Sequence, residues 1–326
     1  MRRPPPQAVA LLLVAVLAGC GSSKSDTSSS QSPTPSSDTA KPEQFPAAKG
    51  LSLDDLRQRY PSVVQLAPGA GTIAKGTNRM PFLVLDKTGK PVLGAAVALY
   101  TLHPDGTGLR GPYPATSRTF GLKPAYISQT AQGDLEITKG FYTADLKLNS
   151  PKPQNMMALV RLDGRLVSTG PAPLGAKGAG TPPGAGDKAP VTHTQTLSDV
   201  GGNAKAIDTR VPPAEDLLQI DLADVLGKKP VVLIFATPQL CQSRVCGPVV
   251  DVAEQVKAET KADVAFIHNE IYVDNNPQKG LRPQLAAYGL QTEPWIFVID
   301  RTGRISDRFE GALSVDELKA AVAKVS

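Results

Sequence analysis

Cysteine is scarce in this chain: 326 residues contain three, at positions 20, 241 and 246. A chain of this length with so few must build its cores by packing, which excludes a disulfide framework. Long hydrophobic runs are equally scarce. The uncharged run Ala8–Leu17 is too short to span a bilayer as a stable helix, and no second stretch reaches the roughly 20 residues a crossing needs. Charge of one sign is lacking too. Formal net charge is +5, of which Arg2 and Arg3 supply two, and the remainder is scattered, leaving no footprint for nucleic acid. No nucleotide, flavin or haem motif is present, so no cofactor is expected and no metal site is assigned. What is there is 41% hydrophobic residues, enough for about two domains of ~100–200 residues each.

Arg2 and Arg3 precede the apolar run, which closes on Leu17-Ala18-Gly19-Cys20. That ending resembles the lipobox of bacterial lipoproteins. The resemblance implies a signal peptide over 1–19, lipid transfer to the Cys20 thiol and cleavage before it. The chain is then expected at the outer face of the cell membrane, each buried methylene of its acyl chains adding roughly 0.8 kcal/mol of anchoring. Residues 20–50 are rich in Ser, Thr, Pro and Lys and read as a disordered tether. With Cys20 acylated, one close pair, Cys241 and Cys246, remains in a compartment where disulfides persist.

Leu53, Leu56 and Tyr60 recur at helical spacing, so a short helix is expected over Ser52–Tyr60. From 61 to 174 the pattern is of short strands: Phe82–Leu85, then Val92–Tyr100, Ala144–Leu148, and Met157–Leu162 facing Val167 across Asp163-Gly164. Strands punctuated by Gly, Pro and Asp indicate a β-sandwich. The phrase Leu85-Asp86-Lys87-Thr88-Gly89-Lys90-Pro91-Val92, with Gly94-Ala95 and Val97 after it, resembles the opening of bacterial immunoglobulin-like modules, which serve more often as spacers or docking surfaces than as enzymes. Residues 175–190 are Gly, Pro, Ala and Lys without periodicity, the composition of a linker.

Over 191–326 strands alternate with helices. Pro230–Phe235 is a β-branched apolar run, the mark of a strand buried on both faces. Val249, Val252, Ala253 and Val256 sit at helical spacing. A strand over Val264–Ile267, a helix over Leu281–Tyr288, and strands over Trp295–Ile299 and Ile305–Phe309 follow. Ser314-Val315-Asp316-Glu317 is a capping box opening a last helix, with Leu313 and Leu318 as its hydrophobic staple.

This C-terminal stretch resembles the thioredoxin-like superfamily. The resemblance is carried by the strand ending in Phe235-Ala236-Thr237-Pro238, a cysteine pair opening a helix, Glu293-Pro294 at a strand start, Phe297–Ile305 with Gly311 beyond it, and Gly186-Asp187-Lys188-Ala189-Pro190. It implies an α/β thioredoxin-like fold behind the immunoglobulin-like β-sandwich, a cis-proline at Pro294, and thiol–disulfide exchange through Cys241 and Cys246. Its partners would be exported protein substrates or a membrane redox partner. The chain departs from the family in three ways. Four residues separate the cysteines where two are usual, and Glu293 stands where a small or apolar residue is common. The aromatic residue that often precedes the nucleophile is replaced by Leu240 or Val245. Cys246-Gly247-Pro248 matches the family's active-site phrase, whereas counting from Phe235 places Cys241 at the nucleophile's position, and both registers stay open.

Pro248 suits a first helical turn, which puts Cys246 beside unpaired N–H groups that favour thiolate. Cys246 is therefore expected to attack and Cys241 to resolve, with Pro294 guiding substrate. The Glu293 carboxylate would disfavour thiolate or shuttle protons. Two other readings use the same residues. In one, the domains are an interaction scaffold holding a structural disulfide. In the other, two thiols and His268 bind copper(I), as in the Sco-type chaperones that share the fold.

Overall fold

The computed structural model describes residues 39–133, 139–175, 182–241 and 243–326. The expected signal peptide, Cys20 and most of the expected tether lie outside the described residues. Among those described, no helix is long and apolar enough to cross a membrane.

Eight strands make the N-terminal part: β1 Ser62–Pro68, β2 Gly76–Leu85, β3 Val97–Leu102, β4 Arg110–Arg118, β5 Phe141–Leu148, β6 Gln154–Leu162, β7 Arg165–Thr169 and β8 Ala172–Leu174. Met80, Phe82 and Val84 of β2 alternate into the interior against Tyr142, Ala144 and Leu146 of β5, the period of 2 that a pleated strand imposes. Strands form in each region where they were expected, except that the run expected from Val92 becomes strand only at Val97, and the layers are not separate. β1 pairs with β7 near its start and with β2 beyond it, and β4 pairs with β3 and then with β5. Each thus passes from one layer to the other. Pairing of β3 with β6 completes the circuit β3-β4-β5-β2-β1-β7-β6, so these seven strands close on one another into one sheet, to which β8 adds at β6.

β3 and β6 are apolar on both faces, and the second face explains a correction to the tether. Ala98 and Tyr100 of β3 and Met157 and Leu159 of β6 point outward, where Ala40, Phe45, Ala48 and Leu56 cover them. Residues 39–50 are therefore packed rather than loose. Ala40 N–H donates to the Ala115 carbonyl at 2.9 Å, and Tyr100 Oη donates to the Pro46 carbonyl at 2.6 Å. The few apolar residues of this stretch suffice because each fills a place on an already formed surface; burying Phe45 alone contributes about 1.5–3 kcal/mol. Helix α1, Leu53–Arg59, completes the cover, and Ser52 caps it by accepting from Asp55 N–H.

The C-terminal part is a four-stranded sheet in the order β10-β9-β11-β12, built from β9 Val231–Phe235, β10 Ala265–Asn269, β11 Trp295–Ile299 and β12 Ile305–Glu310. β10 runs parallel to β9, and β11 and β12 are antiparallel to their neighbours. Alternation explains why β9 and β11 read as unbroken apolar runs. Val232, Ile234, Ile296 and Val298 face one core, with the long helix over Cys246–Glu259 and the last helix over Val315–Val322. Val231, Leu233, Phe235, Trp295, Phe297 and Ile299 face the other, with Leu222, Leu285 and Tyr288. The capping box at Ser314 and Glu317 forms as expected.

All described residues belong to one compact unit. Phe120 and Phe141, within the stretch read from sequence as the first module, sit in the core of the second beside Cys246 and Val315. Arg210 is buried between Asp251 at 2.7 Å and Glu254 at 2.6 Å and donates to the Tyr126 carbonyl, while Asp251 also accepts from Ser128. Arg79 of β2 grips Glu317 through two nitrogens at 2.9 and 3.0 Å. Of the stretch expected as a linker, residues 182–190 lie along the second sheet, Ala189 N–H donating to Gly303 and Gly186 N–H to Ile305.

Candidate redox site

β9 ends at Phe235, and a loop carries the chain to the Cys246–Glu259 helix, here numbered α4 after two short helices, Gln129–Gln132 and Leu222–Val225. Cys241 and Cys246 are joined by a disulfide with a Cα–Cα distance of 6.0 Å, within the usual range for such bridges. The extra loop length closes through Arg244, whose φ of 60° lies in the left-handed region and whose N–H donates to the Cys241 carbonyl. Cys246 is the first residue of α4, so the N–H groups of the opening turn lack helical acceptors around it. It is also fully buried, at 0% exposure, whereas Cys241 is half-buried. The sulfur that the sequence assigned to attack is thus the inaccessible one. Ser243 Oγ lies 3.2 Å from Cys241 Sγ.

The other side of the loop is held by groups the sequence reading did not single out. Gln239 N–H donates to Thr209 Oγ1 at 3.1 Å, and Thr209 donates from its hydroxyl and N–H to Glu270 Oε1 at 2.6 and 2.8 Å. Beneath this chain His268 Nε2–H donates to the Ala236 carbonyl at 3.0 Å, and its Nδ1 faces Asp208 at 3.6 Å. Burial works against the His268 cation, but the Asp208 carboxylate outweighs it and raises its pKa, while Asp208 is held below the usual carboxylate range. Asp208, His268 and Glu270 bring ligating atoms within 4.8 Å of one another. Both carboxylates already accept from main-chain N–H groups, those of Arg210, Ala214, Thr209 and Ile271. The copper reading needs His268 turned to the sulfurs, and its ring nitrogens are turned to Ala236 and Asp208 instead. No local spacing signals these roles, because Asp208 and Thr209 stand some thirty positions before the cysteines in a stretch without periodicity.

The Glu293–Pro294 bond is cis, as the resemblance implies. Glu293 is half-buried; burial first, and then the Glu270 carboxylate, push it above the usual carboxylate range. Glu293 and Ser243 line one cleft of about 520 Å³ together with residues 68–71 and Pro173 of the closed sheet and Tyr272 and Leu281. Its far wall is fixed by Glu310, which accepts from Gly71 N–H at 2.8 Å, Thr72 N–H at 3.0 Å and Thr292 Oγ1 at 2.7 Å. The closed sheet therefore forms part of the surface beside the disulfide.

No family model matches the chain, and none of the curated proteins matches it in sequence. Solved structures do. One, described as a thioredoxin-like superfamily protein, is 18% identical with a TM-score of 0.28, covering 42% of this chain and 95% of its own. Another, a thiol:disulfide interchange protein of the thioredoxin family from Chlorobium tepidum TLS, is 16% identical with a TM-score of 0.28, covering 44% of this chain and 96% of its own.

Proposed function

We propose that this chain is a lipid-anchored, extracytoplasmic thiol–disulfide oxidoreductase of thioredoxin-like type, acting on exported proteins through Cys241 and Cys246. The immunoglobulin-like β-domain in front of it serves as an accessory surface. The observation that carries the reading is the asymmetric disulfide: one half-buried cysteine, and one fully buried cysteine at the start of a 14-residue helix, beside a cleft lined by Ser243 and by Glu293, the residue that precedes the cis-proline. The greater exposure of Cys241 supports it, rather than Cys246, as the exchanging sulfur. A substrate thiolate attacks Cys241 Sγ, the Cys241–Cys246 bond breaks, and Cys246 leaves as a thiolate stabilised by the free N–H groups of the helix start. A second substrate thiolate then attacks the substrate sulfur of the mixed disulfide. The substrate gains a disulfide, and the protein takes up two electrons as a dithiol. Run backwards, the same steps reduce a substrate.

Cys246→Ser, offered oxidised glutathione or a peptide that already carries a disulfide, should accumulate a mixed disulfide at Cys241, the other half of the reagent leaving as a thiolate, read as a mass shift. Cys241→Ser should not, since Cys246 is buried. Absence of adducts from both variants rejects the exchange reading. The anchor is tested separately by fatty-acid labelling, expected in the wild type and lost in Cys20→Ser.

A structural bridge is the competing reading, favoured by the complete burial of Cys246 in an apolar core. A bridge of that kind resists reduction, and the exchanger cycles.

A further inference from the structure

The cleft beside the disulfide has an unusual charge balance. Among the described residues its lining contains two carboxylates and no basic residue. Glu310 is already engaged by Gly71, Thr72 and Thr292. Glu293 is not: among the described residues no cation or hydrogen-bond donor pairs with it, although it is half-buried and faces the like charge of Glu270. A partly desolvated carboxylate without a counter-ion is a costly arrangement that an incoming cation relieves. Apolar surface stands next to it. Leu281, 52% exposed, is one of only two large hydrophobic side chains so exposed among the described residues, and Tyr272 and Pro173 adjoin it in the same cleft. Ser243, two residues from Cys241, puts the reactive sulfur's loop on the cleft's rim.

We propose that this cleft, walled on one side by the closed sheet, seats a substrate polypeptide segment in which a Lys or Arg flanks the reacting cysteine. Glu293 takes the basic side chain, and Leu281 with Pro173 takes an apolar neighbour. The inference rests on the redox reading and adds a substrate class to it. The closed sheet thereby becomes part of the specificity surface, because the 68–71 segment is fixed to β12 by the Gly71 N–H that donates to Glu310, and Pro173 lines the same cleft. An acidic flank meets the Glu293 carboxylate in the cleft lining and is rejected by repulsion.

The test compares dithiol peptides that differ only in the residue before the cysteine, Lys, Ala or Glu, as reductants of the oxidised full-length chain at low salt. The Lys peptide is expected to exceed the Glu peptide in kcat/KM by about tenfold, a gap that salt narrows. Glu293→Gln should bring the two within about threefold. Pro173→Lys, an exposed change on the closed sheet, should slow the Lys peptide selectively. Equal rates for the Lys and Glu peptides, or a preference that survives Glu293→Gln, overturn the assignment of Glu293. An unaltered Lys-peptide rate in Pro173→Lys overturns the role of the closed sheet. Exchange with glutathione is measured on the wild type alongside. If glutathione exchanges and the peptides are not discriminated, only the cleft assignment falls; if glutathione does not exchange, the redox reading falls with it.

Discussion

Replacing Arg210 with Met tests how the two parts are joined. The guanidinium is 5% exposed and holds four partners: Nε donates to Asp251 at 2.7 Å, Nη2 to Glu254 at 2.6 Å, Nη1 to the Pro212 carbonyl at 2.7 Å and Nη2 to the Tyr126 carbonyl at 3.0 Å. Met fills much of the volume but strands Asp251, whose side chain is 0% exposed. Breaking a buried pair from one side costs about 3–5 kcal/mol. With an unfolding entropy of about 2.1 cal/mol/K per residue over roughly 280 residues, that is a fall in Tm of about 5–8 °C. The pH dependence identifies the cause. Burial already raises the Asp251 pKa against the pull of Arg210, and without Arg210 it rises further. An acid whose folded pKa is raised carries its penalty above its unfolded value of 3.8 and escapes it by taking a proton as pH falls. The loss from Arg210→Met should therefore be smaller at pH 4.5 than at pH 7.5, measured by urea titration of both proteins at each pH. Arg210→Met/Asp251→Asn should recover part of it. A loss below about 1 kcal/mol, or an equal loss at both pH values, would refute the reasoning.

Three further outcomes follow from the packing. Phe120→Ala removes a ring that lies in the core of the C-terminal part and should cost about 3–5 kcal/mol in a single cooperative transition; separate transitions would show that the two parts fold independently. His268→Leu should cost about 3–5 kcal/mol at pH 6, and less in alkali. A raised histidine pKa stabilises below the unfolded value of 6.5 and is lost as pH climbs through the folded one, a slope the variant should lack in pH-dependent thermal melts. Glu317 is held low because Arg79 and then Arg118 outweigh its burial. Its contribution should be lost as pH falls below 4.5, and Glu317→Gln should flatten that acid limb of the stability curve.

Local chemistry made much of this legible in advance. β9 could be read as doubly buried because its apolar run is unbroken, and the last helix could be placed because Ser314 and Glu317 form a complete box. β1 and β4 were not placed, since Ser62–Pro68 and Arg110–Arg118 mix polar, Pro and apolar residues without alternation; each bends from one layer to the other, so neither keeps one face buried throughout. Residues 39–50 looked like tether because composition counts apolar residues and not the surface waiting for them. At the site, the cysteines were singled out by type and spacing, and Pro294 by the thioredoxin-like resemblance. Glu270, Thr209 and Asp208 did not, being brought to the loop by the ends of β10 and an irregular segment. Which sulfur is buried was likewise a tertiary fact, set by Phe120, Phe141 and the helices packed around Cys246.

The most direct measurement is the reduction potential of the Cys241–Cys246 pair in the full chain, titrated in glutathione and dithiothreitol buffers with free thiols trapped by alkylation and counted by mass. An exchanger is expected to show a midpoint between about −120 and −270 mV. A pair that remains oxidised well below about −300 mV is a structural bridge, and that result would contradict the oxidoreductase reading.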